Sequence, residues 1–120
     1  MCDAADDESC TVWSETTPRA RKAHQCTECR MPIAVGVRHT RISSMFDGHW
    51  EEYRLHTDCH ALVKHIAFDV CGQSVYFLAY DTLRARVREH MHEEPGVLRM
   101  WRDILRARRA EGVWPVRRAA

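Results

Sequence analysis

A chain of 120 residues, 45% hydrophobic and 29% charged, is long enough for one domain with a modest core and too short for two of ordinary size. Its formal net charge of +1 excludes an overall electrostatic pull toward nucleic acid or membrane, so any such argument must rest on how the charges are distributed. No stretch approaches the roughly 20 apolar residues needed to cross a bilayer, and the acidic, polar start lacks the positive and apolar parts of a signal peptide; a cytoplasmic protein with reduced thiols is the expectation.

Positions 1–18 carry Asp3, Asp6, Asp7, Glu8 and Glu15 with no basic side chain, whereas positions 81–120 carry ten Arg against six acids. The low hydrophobicity of 1–18 predicts a flexible acidic arm. Trp13, beside Val12, is the exception within it and docks either onto its own domain or onto a partner. Residues 19–72 read as a zinc-binding module, and 73–120 as a helical extension packed on that module. The chain shows no internal repeat.

Between Val37 and Leu55, Asp47-Gly48 is a two-residue turn signal flanked by Ile42, Met45, Trp50 and Tyr53, which predicts a β-hairpin. That turn pairs Met45 with Trp50 on one face and Ile42 with Tyr53 on the other. It also sets Arg41 opposite Arg54, which is unfavourable unless an acid such as Glu52 or an external anion lies nearby. Thr57 can cap a helix starting at Asp58, with Cys59, Leu62, Val63, Ile66, Ala67 and Val70 as one buried stripe and Gly72 as its end. A second helix is predicted from Val75 to His90 with Ser74 as cap, broken by Pro95-Gly96. A third runs from Val97 to Ala110, with Val97, Trp101, Ile104 and Leu105 on its apolar face.

The sharpest motif is Cys26-x2-Cys29, followed after the hairpin by His56-x2-Cys59. Each pair supplies two ligands from one turn of chain, and a hairpin between them brings the turns together around a tetrahedral ion. Thiolates and imidazole select zinc over hard cations, and Cys59 in the first turn of a helix lies where the dipole stabilises a thiolate. His49 or His60 can stand in for His56, and His24 for one member of the first pair; the two-residue spacing favours His56. Four protein ligands leave no open position, so one structural Zn2+ is expected. Binding worth roughly 10–16 kcal/mol in small zinc modules exceeds the stability of an ordinary small domain, so its loss is expected to unfold at least 20–70.

The run RKAHQCTECRMPIAVGVRHTRISSMFDGHWEEYRLHTDCHAL, Arg21 to Leu62, resembles treble-clef zinc modules: a Cys-x2-Cys knuckle, a β-hairpin, then a helix whose start carries the second ligand pair. It is similar in particular to small zinc proteins encoded by bacteriophages and prophages, which share a basic lead-in, an Ile-x-x-Gly segment, an Arg-Ile-Ser strand and a Gly-x-Trp turn. The resemblance covers about a third of the chain. It implies an α+β fold, a treble-clef-like module followed by two C-terminal helices, but treble clefs serve as nucleases, DNA readers and adaptors alike, so function does not follow from it.

Three classes of function compete. An HNH-type nuclease needs a hydrolytic metal site, for which His49, His60 and His65 are candidates without a matching acid or Asn; Cys2, Cys10 and Cys71 show no paired His and acid and read as spare thiols. A DNA- or RNA-binding zinc protein would use Arg84, Arg86 and Arg88, which alternate along the second helix, and Arg99, Arg102, Arg106 and Arg109 of the third, a stripe that also reads as an ordinary solvated face. A non-enzymatic protein-binding module would draw on that stripe together with Trp13, Trp50 and Trp114, since Trp and Arg anchor interfaces. The last is the favoured reading: a phage or prophage protein engaging a host protein or protein–nucleic-acid complex as an inhibitor of host defence.

Overall fold

The structure of the protein, a computed structural model, describes residues 10–46, 48–76, 78–79 and 81–112. The first half of the expected arm, Asp47 of the turn and Trp114 lie outside the described residues. The fold is mixed α+β, with antiparallel sheets and three α-helices.

The hairpin consists of β4 (Thr40–Phe46) and β5 (His49–Leu55), with Arg41 opposite Arg54, Ile42 opposite Tyr53 and Met45 opposite Trp50. This is the register that a two-residue turn imposes, and Gly48 takes the positive φ of 80° that such a turn asks for. The facing arginines are reconciled by Glu52, whose carboxylate lies 3.1 Å from Arg41 Nε and 2.9 Å from Arg54 Nη2. The Arg41 hydrogen bond is the main reason the Glu52 carboxyl is held below its usual range. Arg54 also reaches inward to the buried His39, with 3.0 Å between Nη1 and Nε2.

The second half of the expected arm is a correction. Cys10–Thr16 forms β1, which adds to β4 with Trp13 opposite Ser44 and Glu15 opposite Ile42. Averaged over eighteen residues the composition is polar, but this stretch is locally β-branched and aromatic, which suits a pleated, half-buried edge. Two-residue strands β2 (His24–Gln25) and β3 (Pro32–Ile33) pair around the first cysteine pair.

Helix α1 spans Thr57–Lys64 and is capped by His56, one residue earlier than expected, with no side-chain cap bond. Cys59, Leu62 and Val63 are buried, and the stripe continues through Ile66 and Ala67. From His65 to Val70 the helix widens to π-type hydrogen bonding, with the Cys71 amide donating to the Ile66 carbonyl at 2.9 Å, and Gly72 ends it at φ 68°.

Helix α2 is shorter than the sequence suggests. It spans Leu83–His90 and is capped by the Thr82 hydroxyl, which accepts from the Ala85 amide, whereas the stretch from Val75 is irregular. The physical reason is a tertiary competitor. The Glu28 carboxylate accepts the Ala79 amide at 2.7 Å and the Glu28 carbonyl accepts the Leu83 amide at 3.0 Å, so donors that a helix from Val75 would use are engaged elsewhere. Helix α3 (Pro95–Ala110) starts two residues early because Pro95 fits the first helical position and Glu94 caps it, accepting from the Gly96 amide at 2.8 Å.

One apolar cluster joins all these parts: Ile42 and Leu55 from the hairpin, Leu62, Val63 and Ile66 from α1, Leu83 and Val87 from α2, Val97 and Ile104 from α3, with Cys26 and Cys59 among them. No described helix is long and apolar enough to cross a membrane.

Two ion pairs also tie the helices to the rest. Arg108 of α3 is 2% exposed and places Nη2 2.6 Å from Asp58 Oδ2, with its Nε 3.3 Å from Glu111. Arg86 of α2 places Nη2 3.5 Å from the fully buried Glu28. A buried guanidinium that loses its partner costs far more than the net worth of the pair. Asp58→Ala is therefore expected to destabilise the fold by about 3 kcal/mol, and Asp58→Ala/Arg108→Met to recover most of that loss; urea denaturation of the parent, the single variant and the double variant measures both.

Candidate metal centre

Cys26, Cys29, His56 and Cys59 converge: one ligand atom from each lies within 4.8 Å of the other three. Cys26 and Cys59 are fully buried, His56 nearly so, and Cys29 partly. The first pair sits in a knuckle between β2 and β3. There the Cys26 amide donates to the Met31 carbonyl and the Arg30 amide to the Cys26 carbonyl, each at 3.0 Å. Arg30 occupies the left-handed region at φ 66°, the bend that returns the chain and aims the Cys29 amide at Cys26 Sγ, 3.4 Å away. Gln25 and the Arg30 guanidinium brace the bend, bonding the Arg30 and Thr27 carbonyls. The Thr27 amide donates to the Arg54 carbonyl at 2.9 Å, which docks the knuckle beside the end of β5.

The second pair comes from the junction of β5 and α1. His56 turns Nδ1 toward Cys29 Sγ at 3.4 Å and Cys59 Sγ at 3.9 Å, while Nε2 faces the Pro32 carbonyl at 3.2 Å. With the Nε2 proton donated to that carbonyl, Nδ1 is the free lone pair that points into the cluster, so the tautomer and ring plane are set for a metal ligand. The sequence alternatives lie elsewhere. His49 is exposed on β5; His24, on β2, tilts against His39; and His60 is buried with Nε2 2.9 Å from the Tyr76 hydroxyl, which donates to Glu15 at 3.2 Å. Burial pushes the His60 imidazole below its ordinary range.

The thiols couple strongly. Burial opposes ionisation of Cys26, yet hydrogen bonds, led by those from Cys29 and Cys59, outweigh it and push Cys26 down. Cys29 is pushed up to about 12, chiefly by its bond to Cys26, and Cys59 is raised for the same reason. One thiolate is thus tolerated and the next two are not, because like charges at this separation repel in a dry site. A divalent cation removes that conflict. Three sulfurs and one imidazole nitrogen form a group that could coordinate one zinc ion.

Around the cluster, the residue beside each cysteine of a pair carries a second task. Glu28, between Cys26 and Cys29, meets Arg86, the Ala79 amide and the Thr27 hydroxyl; burial raises its carboxyl, against the pull of those partners. Asp58, next to Cys59, meets Arg108. Sequence reasoning gave Glu28 and Arg108 no role, and it grouped Arg86 with Arg84 and Arg88 as a candidate nucleic-acid contact, whereas here it points to Glu28. A signal was present: Arg108 lies four residues after Ile104 and Arg86 three after Leu83, so both continue buried stripes.

The remaining candidates separate into two groups. Arg84, Arg88, Arg99, Arg102, Arg106 and Arg109 are exposed on α2 and α3, with Arg106 bonded to Asp103 at 3.0 Å. Trp13 instead is half-buried and packs edge-on against Tyr76, ring centroids 5.7 Å apart, so it is engaged within its own domain. Trp50 is 60% exposed. Of the nuclease candidates, His65 bonds Asp69 at 2.8 Å, and Cys71, read from sequence as a spare thiol, lies against His90.

Compared with known protein families, with curated proteins and with solved structures, the chain matches none.

Metal binding here displaces protons from Cys29 and Cys59, so affinity falls as pH falls. Titration of zinc into chelator-treated protein is expected to give one ion per chain and to release about two protons, read by calorimetry in two buffers of different ionisation enthalpy. Because α2 and α3 are tied to residues beside the ligands, Cys26→Ser/Cys59→Ser is expected to abolish stoichiometric zinc and to melt the helices together with the module. Elemental analysis and circular dichroism report the two effects.

Proposed function

We propose that this chain is a zinc-stabilised, non-enzymatic binding protein that engages another protein. The observation that carries the reading is the closed set of four ligands: it gives the metal a structural task and leaves recognition to the surface. The order of knuckle, hairpin and ligand-bearing helix supports a treble-clef reading of the module. On the strength of the sequence resemblance, the setting is a phage or prophage and the target a host protein or protein–nucleic-acid complex whose defence function is inhibited in the cytoplasm.

The hairpin supplies the surface that best fits a protein partner. Trp50 lines a shallow hollow with Arg41, Ser43, Glu51 and Glu52, a large apolar ring among charges of both signs. Such a mixture suits an interface hot spot, in which an aromatic anchor is ringed by polar groups. It does not suit a phosphate reader, which presents one sign of charge.

A second reading rests on α3. Arg99, Arg102 and Arg106 line a shallow groove with Pro95, Leu98 and Asp103, and positions 99, 102, 106 and 109 fall on one helical stripe, an arrangement that can track a nucleic-acid backbone. The two readings separate in one pair of measurements. Under the protein-binding reading, titration with duplex and single-stranded DNA at about 150 mM salt gives no binding, and the partner recovered on tagged bait persists after nuclease treatment and weakens about 30-fold with Trp50→Ala. Salt-sensitive DNA binding that Arg102→Ala/Arg106→Ala abolishes overturns it in favour of the second.

A further inference from the structure

A second cluster of reactive side chains lies where the end of the π-helical turn meets the end of α2. Cys71 Sγ is 3.7 Å from His90 Nε2, and His90 Nδ1 is 3.1 Å from Glu93 Oε1. The imidazole thus has a sulfur on one nitrogen and a carboxylate on the other. This is the arrangement that activates a thiol: the carboxylate fixes the ring with Nε2 facing the sulfur, and Nε2 takes the proton.

Two features decide what the cluster is for. The sulfur and the carboxylate lie at opposite nitrogens of one ring, so they do not converge on a common point, and among the described residues only the Cys26, Cys29, His56 and Cys59 group meets the geometry of a metal site. Cys71 is also exposed, so its reactant arrives from solution. The helix end works against a thiolate, since Cys71 caps the carbonyl end of the π-helical turn, where the dipole is negative. The groups that face the ring are carboxylates: Glu93 Oε1 lies 3.1 Å from Nδ1, and Glu89 Oε1 lies 3.9 Å from Nε2.

We propose that Cys71 is a thiol–disulfide exchange site for low-molecular-weight disulfides, with His90 as the base and Glu93 as a positioning residue. His90 accepts the Cys71 proton. The thiolate attacks one sulfur of the disulfide, a new Sγ–S bond forms as the old S–S bond breaks, and the departing thiolate takes the proton back from His90. Cys71 and one half of the disulfide become a mixed disulfide, and the other half leaves as a thiol; the small disulfide is itself the oxidant, and no further one is needed.

The test uses the full zinc-loaded chain with oxidised glutathione as probe, each cysteine peptide being followed by mass spectrometry. Cys71 is expected to be modified at least about tenfold faster than the same cysteine in a synthetic peptide of residues 66–76. His90→Gln is expected to bring the rate down to that of the peptide with zinc content unchanged, and Glu93→Gln to lower it by less. Added imidazole is expected to restore part of the rate in His90→Gly, a response that a merely structural role for the ring does not produce. A rate equal to that of the peptide, a His90→Gln rate equal to the parent's, or His90→Gly indifferent to imidazole overturns the proposal.

Discussion

Three thiols and an imidazole brought within 4.8 Å of one another cannot all take their metal-binding charge state without a cation between them, and the chain is built around that conflict. The Cys26 side is prepared by hydrogen bonds and the Cys29 and Cys59 side resists ionisation, a conflict that a bound divalent ion would remove. Cys26 and Cys59 are also fully buried members of the apolar cluster. Two of the four candidate ligands are therefore core residues as well.

That coupling extends to the helices through two acids of unremarked appearance. Glu28 and Asp58 each adjoin a ligand, and each faces an arginine from a different C-terminal helix. The arginines of α2 and α3 therefore divide by task. Arg86 and Arg108 point inward and fix where the helices sit, whereas Arg84, Arg88, Arg99, Arg102, Arg106 and Arg109 stay in solvent. Net charge reveals nothing of this division, because it depends on the phase of each residue relative to the buried stripe.

The parts legible in the sequence were those governed by short-range rules. The hairpin register followed from Asp47-Gly48, the α1 stripe from its periodicity, and the convergence of Cys26, Cys29, His56 and Cys59 from paired spacings on either side of a hairpin. What escaped was long-range. Strand β1 exists because β4 offers an edge to pair with, and α2 is truncated because the distant Glu28 takes the Ala79 and Leu83 amides. Likewise nothing in the local sequence announces that Cys71 and His90, nineteen positions apart, face each other; the π-helical turn and the irregular stretch after it determine that meeting.

The hairpin is flanked along β4 by β1 and clamped at its base, and β5 is the outer strand of the three-stranded sheet. Its base, at Leu55, runs straight into His56 and is clamped by the knuckle through the bond from the Thr27 amide to the Arg54 carbonyl, while Trp50 rides near the turn and is exposed. An exposed side chain on an outer strand can be exchanged with little penalty to folding, and Trp50 leaves 60% of its surface in water. The face around Trp50 can therefore vary in sequence while the Cys26, Cys29, His56 and Cys59 group keeps its arrangement.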